Sequence, residues 1–220
     1  MTVIAVGSVV GAPGATTTAL ALARRRTRPV VMLEADPDGG RLALRLDTDH
    51  RPGLVDLLTS ARDLTAEESF GWVQRPDAQS GARLVIAHPS GDVVERALRA
   101  GVRQLVATLR SASFDVVCDV GRYRADSAAG PLAEAAAWRV VVSHGALVEV
   151  AVLSHALERL RQLGPVAVVL TGDGPYTARE VTEALNVPAV RLPVPGALPG
   201  RRYLRALDQL SAPLWSEASR

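Results

Sequence analysis

Short runs of Val, Leu, Ile and Ala alternate along this chain with longer stretches whose apolar residues return at helical spacing. No other feature limits the fold as much. The runs Thr2–Val6, Pro29–Glu34, Arg83–Ala87, Phe114–Asp119, Arg139–Ser143, Val166–Thr171 and Ala189–Leu192 read as strands. Several are apolar almost without interruption, as strands covered on both faces should be. Helices are expected at Thr16–Arg26, Val93–Ser111, Ser127–Ala137, Val148–Gln162, Thr177–Leu185 and Arg201–Leu210. Strand and helix in turn predict an α/β fold, a mainly parallel central β-sheet flanked by helices on both faces. Asp47–Gly81 is the least regular stretch and is expected to carry two short surface helices. The 220 residues fit one domain over 1–220 with a sizeable core.

Composition narrows the class. A hydrophobic fraction of 48% and a charged fraction of 22% are those of a globular protein rather than a disordered one. No apolar run approaches the roughly 18 residues of a membrane span, and Thr2–Val10 lacks the basic flank of a signal peptide. A cytoplasmic protein is therefore expected. The single cysteine, Cys118, excludes an internal disulfide framework and a cysteine-cluster metal site. His50, His88, His144 and His155 show no metal spacing, and the Ser143-His144 pair is a weak nucleophile signal. A net charge of +2 carries no nucleic-acid signature. All 25 basic side chains are arginine, so no lysine is available anywhere in the fold.

In open parallel sheets a ligand sits beyond the carboxyl ends of the strands. Here the first strand runs into Gly11-Ala12-Pro13-Gly14-Ala15-Thr16-Thr17, the second into Glu34-Ala35-Asp36-Pro37-Asp38, and the fourth into Asp119-Val120-Gly121. Glycines ahead of a helix let successive backbone N–H groups converge on an anion at the positive helix end, and a Thr hydroxyl there can ligate Mg²⁺. Gly11, Gly14 and Thr16 keep those features, whereas Ala15 stands where the Walker pattern has its phosphate-binding lysine. Alone, the loop fits equally a tight strand-to-helix turn capped by Thr16. Asp36 and Asp119 at the other strand ends add the hard oxygen ligands a Mg-nucleotide site needs. Three matching ends in chain order favour a nucleotide-fold site, active or relict.

Those segments resemble the ParA/MinD family of deviant Walker A ATPases, P-loop NTPases of the SIMIBI class, over essentially the whole chain. "VGAPGATT" stands where the family has Lys-Gly-Gly-Val-Gly-Lys-Thr-Thr, "VVMLEADPDGG" resembles its "VLLVDxDPQG" segment, and "FDVVCDVG" resembles its Walker B. "VVVSHGALVEVAVLSHALERL" and "VAVVLTGDGPYTAREVTEALNVPAVRLP" follow the family's later strands and helices. Gly-Ala-Thr in place of Gly-Lys-Thr is similar to the TadZ/CpaE branch, which positions pilus and secretion machinery. The resemblance implies that Gly11, Ala12, Pro13, Gly14, Ala15, Thr16 and Thr17 cradle the nucleotide, with Thr17 at the inner phosphate. It implies that Thr16 ligates Mg²⁺, that Asp119 holds a Mg-bound water, and that Asp36, the catalytic residue, orients the attacking water.

Departures from the family matter as much. Val10 takes the place of the signature lysine that reaches a dimer partner's phosphates, and Ala15 removes the second lysine. Thr171 replaces the asparagine usual in base recognition, and "PVPGALPG" lacks an acidic residue often found there. Arginine grips phosphate through parallel hydrogen bonds, and Arg122 and Arg124, just past the Walker B-like turn, are the nearest candidates, though solvated loop charges are the favoured reading of both. Arg24, Arg25, Arg26 and Arg28 read as structural charges closing the first helix, and Arg201, Arg202 and Arg205 as a solvent face or a contact for an acidic partner or nucleic acid.

Two functions follow from the resemblance. One is a protein that binds Mg-ATP weakly, hydrolyses it slowly or not at all, and positions or regulates a cellular machine through a protein partner and homodimerisation. The other is a pseudo-ATPase interaction module that binds no nucleotide. A kinase or synthetase on the same fold would need the missing lysines and ranks last.

Overall fold

The computed structural model describes residues 1–11, 14–60, 65–73, 75–193 and 200–216. Its strands are β1 (Val3–Ser8), β2 (Val30–Glu34), β3 (Arg75–Pro76), β4 (Arg83–Val85), β5 (Asp115–Arg122), β6 (Trp138–His144), β7 (Val166–Thr171) and β8 (Ala189–Arg191). The helices are α1 (Ala15–Arg25), α2 (Leu42–Arg45), α3 (Leu54–Ser60), α4 (Ala66–Val73), α5 (Gly91–Leu109), α6 (Gly130–Ala135), α7 (Leu147–Leu163), α8 (Ala178–Leu185) and α9 (Arg201–Ser216). The strands form one sheet in the order β3-β4-β2-β5-β1-β6-β7-β8. Every neighbouring pair is parallel except β3 with β4. The sheet thus has seven parallel strands and one short antiparallel edge.

The uninterrupted apolar runs end where they should, in the middle. β1 and β5 are buried over nearly their whole length and lie side by side at the sheet centre, Val3 against Val116 and Val6 against Asp119. One face is covered by α3, α5, α6 and α7; Val94, Leu98, Val102, Leu105 and Leu109 of α5 form the inward stripe. The other face is covered by α1 and α9, whose Tyr203, Leu207, Leu210 and Leu214 face Leu20, Leu22, Ile4 and Val142. That stripe carries α9 past the expected stop at Leu210 to Ser216, with Pro213 inside it.

Two other boundaries shift for identifiable reasons. α6 ends at Ala135 rather than Ala137 because the buried Arg139 guanidinium donates to the last carbonyls, those of Ala133 and Glu134, both at 2.9 Å. β5 runs through Asp119 to Arg122, because its pairing with β1 resumes after a register shift, Ser8 against Arg122. The irregular stretch carries α3 and α4 as expected, together with β3, which the alternation did not reveal.

The arginines at the end of α1 tie it to three distant segments. Arg24 pairs with Asp77 at 2.7 Å, Arg25 with Asp208 of α9, and Arg26 with Asp115 at 2.6 Å while stacking over Trp215, 4.4 Å from the ring centre. Only the last pair is largely removed from water, with the side chains 12% and 2% exposed. Removing the cation of such a pair strands a buried carboxylate, so Arg26→Ala is expected to cost about 3 kcal/mol. Denaturant unfolding would measure it, and a loss no larger than that of Arg25→Ala would contradict the assignment.

Candidate functional site

The loop after β1 and the first turn of α1 are set by Gly14, whose left-handed φ of 118° suits glycine alone. A Cβ added there would stand 3.2 Å from Thr171 Cγ2, so the end of β7 lies against the start of α1. The first helical hydrogen bond runs from Thr18 N to Gly14 O at 2.8 Å. The N–H groups of a first helical turn are the ones that lack intrahelical partners and point at whatever lies beyond the helix end. Ala15, Thr16 and Thr17 occupy that turn. Ala12 and Pro13 lie outside the described residues, as do residues 194–199 of the "PVPGALPG" segment.

β5 brings Asp119 to this turn. Its carboxylate is 1% exposed and accepts from Gly121 N at 3.2 Å through Oδ1, whereas Oδ2 is buried with no hydrogen-bond partner. Burial pushes its carboxyl up to about 7; the nearby Thr16 hydroxyl opposes the rise, and the negative charges of Asp36 and Glu34 add to it. A buried carboxylate oxygen without a donor is costly unless something else completes it. The hydroxyl that sequence reasoning singled out, Thr16, lies close to the same carboxylate. A hard divalent cation fits this pair of oxygens. Among the described residues, no group of three His, Cys, Asp or Glu side chains forms a ready metal cage, so the remaining ligands of such a cation would be water and phosphate oxygens.

Asp36 stands just past β2. It folds into a turn in which Asp38 N donates to its Oδ1 at 2.9 Å and Gly39 N to its carbonyl at 3.0 Å. The side chain lies across Gly121, where an added Cβ would come within 2.1 Å of Oδ1; Gly121 also has a left-handed φ of 67°. Burial raises the Asp36 carboxyl, with the Asp38 N–H and the cations Arg122 and Arg41 acting in the opposite direction. Both predicted carboxylates and the α1 turn therefore converge at neighbouring strand ends.

The candidate arginines are surface charges, as their loop and helix positions also suggested. Arg122 donates to Asp38, Nη2 to Oδ2 at 2.5 Å, and Arg124 pairs with Asp126 at 3.0 Å; both pairs are largely exposed. Arg201, Arg202 and Arg205 lie exposed on α9. Val10 is 45% exposed beside the loop. Ser143 gives its hydroxyl to the His144 carbonyl, and His144 Nδ1 lies 3.1 Å from Thr171 O, so the two side chains do not form a nucleophile and base.

Two contributors escaped the sequence reading. Glu34, the last residue of the strand that Asp36 follows, is 1% exposed and takes three backbone N–H groups: Arg41 at 2.7 Å and Leu42 at 2.9 Å on Oε1, and Ala87 at 3.0 Å on Oε2. It fastens the start of α2. At the end of that helix, Arg45 Nη1 donates to Thr17 Oγ1 at 2.8 Å. The signal available was Arg41 and Arg45 four apart after Gly39-Gly40, a spacing that puts both on one edge of a short helix.

A parallel sheet with a glycine turn, a helix N-terminus and two carboxylates at adjoining strand ends defines an α/β protein of P-loop NTPase architecture. Comparison with solved structures agrees. The chain superposes on the cell division ATPase MinD of Pyrococcus furiosus with a TM-score of 0.75 at 18% identity, covering 96% of each chain. For a ParA family ATPase from Chlorobium tepidum the TM-score is 0.71 at 17% identity, over 100% of this chain and 98% of that one. For the septum site-determining protein MinD of Pyrococcus horikoshii, complexed with Mg-ADP, it is 0.76 at 15% identity, over 99% and 97%. At these identities the likeness is one of fold. No protein-family model and no curated protein matches the sequence.

Proposed function

We propose that this chain is a ParA/MinD-type nucleotide-binding protein that positions or regulates a cellular machine, with slow or absent ATP hydrolysis. Pilus or secretion apparatus of the TadZ/CpaE kind and partitioning are the machines the loop resemblance favours, through a protein partner and a homodimer. The observation that carries nucleotide binding is the unpartnered buried oxygen of Asp119, on a carboxylate close to the Thr16 hydroxyl at the start of α1. Mg²⁺ held by Thr16 and, through water, by Asp119 would neutralise phosphate charge there. Gly11, Gly14 and the first-turn N–H groups would receive the phosphates, Thr17 the inner one, and Asp36 would orient water at the outer one. The solved MinD bound to Mg-ADP supports this, since its fold carries such a ligand.

The alternative is an interaction module that binds no nucleotide. Two observations favour it: neither Ala15 nor Val10 offers a cation, and Arg122 and Arg124 are already paired. Calorimetric titration of the wild type with Mg-ATP, beside a size measurement with and without nucleotide, separates the two. Ala15→Lys sharpens the answer. Lysine is nearly as good a helix former as alanine, so the fold should hold, and a charge-assisted contact to the outer phosphates is expected to add about 1 to 3 kcal/mol of binding. A folded Ala15→Lys protein with no gain over wild type would show that the cradle itself is lost.

A further inference from the structure

We infer that Arg45 is the phosphate-binding cation of this site, held over Thr17 by α2 so that its guanidinium grips the inner phosphate of a bound nucleotide. The inference rests on the nucleotide-site reading above and adds to it a residue that lies outside the loop.

Arg45 already touches the cradle, through the 2.8 Å hydrogen bond from Nη1 to Thr17 Oγ1. Thr17 belongs to the first turn of α1, where the N–H groups point out of the helix end, so a phosphate accepting from that turn comes within reach of the same guanidinium. A guanidinium has five donors in a planar fork, and one hydrogen bond to a hydroxyl leaves the rest for an anion. Among the described residues Arg45 forms no ion pair. Arg24, Arg25, Arg26, Arg122 and Arg124 are all paired with carboxylates.

The arm that carries Arg45 is fixed rather than free. Glu34 binds the N–H groups of Arg41 and Leu42, and Leu42 and Ala43 are buried against the α1 face of the sheet. A four-residue helix would not hold by itself. Pinned at its start by a buried carboxylate and on one side by two core residues, it presents Arg45 in one place. Preorganisation of this kind raises the return on each hydrogen bond to an anion.

The test is titration of wild type, Arg45→Gln, Arg45→Lys and Arg103→Gln with Mg-ATP and Mg-ADP. Arg103 is an exposed residue of α5 and controls for the loss of one positive charge. An inner-phosphate contact predicts that Arg45→Gln weakens ATP and ADP alike, by about tenfold or more, while Arg103→Gln changes neither. Arg45→Lys should fall between, because it keeps the charge and loses the fork. If wild type binds and Arg45→Gln binds equally well, or no worse than Arg103→Gln, or weakens ATP alone, the inference fails and the site reading stands. If folded wild type binds neither nucleotide, both fail. Should Arg45→Gln not fold, Arg45→Lys decides: equal losses for ATP and ADP support the assignment, and unchanged affinity overturns it.

Discussion

Purified protein given saturating Mg-ATP is expected to hydrolyse it at least a hundredfold more slowly than an ordinary P-loop ATPase. Phosphoryl transfer asks the protein for little covalent chemistry and much stabilisation of spreading negative charge, and losing one properly placed donor or cation costs about 10²-fold or more in rate. Two such cations are missing here, at Val10 and Ala15, and the chain has no lysine to send from elsewhere. Arg45 would not restore the rate, because at Thr17 it would meet the inner phosphate of a nucleotide bound as proposed, away from the bond that breaks. Arg122 and Arg124 are held by Asp38 and Asp126. Asp36 would still orient a water, yet an oriented water without a stabilised leaving group gains little. Phosphate release at an ordinary rate by wild type, abolished by Asp36→Ala, would refute this reading outright.

The second large effect concerns stability. Asp119→Asn is expected to make the nucleotide-free protein, kept in chelator, more stable than wild type at pH 8 and equally stable at pH 4. The sign follows from the direction of the shift. The unfolded carboxyl titrates near its ordinary value of 3.8, and burial moves the folded one to about 7. The folded state therefore holds the proton more tightly, and stability is fully present below about pH 4. It falls as pH rises from there to about 7 and is level beyond. Three units correspond to about 4 kcal/mol, an upper figure because the neighbouring Asp36 and Glu34 carboxyls are raised as well. An asparagine keeps the acceptor for Gly121 N and removes the buried charge. Adding Mg-ATP should stabilise wild type and not the variant. Stability curves that run parallel from pH 4 to pH 8 would contradict the assigned burial penalty. A charge kept at such a cost, where an amide would be cheaper, is what a binding site looks like before its ligand arrives.

Much of this was legible in the chain. Continuous Val-Leu-Ile runs marked the central strands, because only a strand covered on both faces can afford them, and the amphipathic stretches between them marked the covering helices. Gly14, Thr16, Asp36 and Asp119 could be picked out because each lies at or shortly past the end of an expected strand, and parallel strands deliver their C-terminal ends to one edge. Asp119 came to that edge even though β5 runs on past it, since its partner in β1 sets the height. The arginines were legible only in part. Arg122 and Arg124 lie closest to the site in sequence and are solvated loop charges held by acidic neighbours, the reading their position favoured, whereas Arg45 went unnoticed.

Local periodicity, turn glycines and the order of strands are properties of neighbouring residues, so the sequence by itself determined the layered α/β fold and the edge where a ligand would sit. Which cation meets the cradle was decided only by tertiary structure. Arg45 reaches Thr17, 28 residues away, because a glutamate at the end of β2 captures two N–H groups of a helix too short to exist alone. The end of α6 was likewise decided by Arg139, whose side chain satisfies that helix's last carbonyls. The Arg139 contact gains its strength from burial and the Arg45 contact from a fixed backbone, and neither condition exists until the sheet and its two apolar layers have closed.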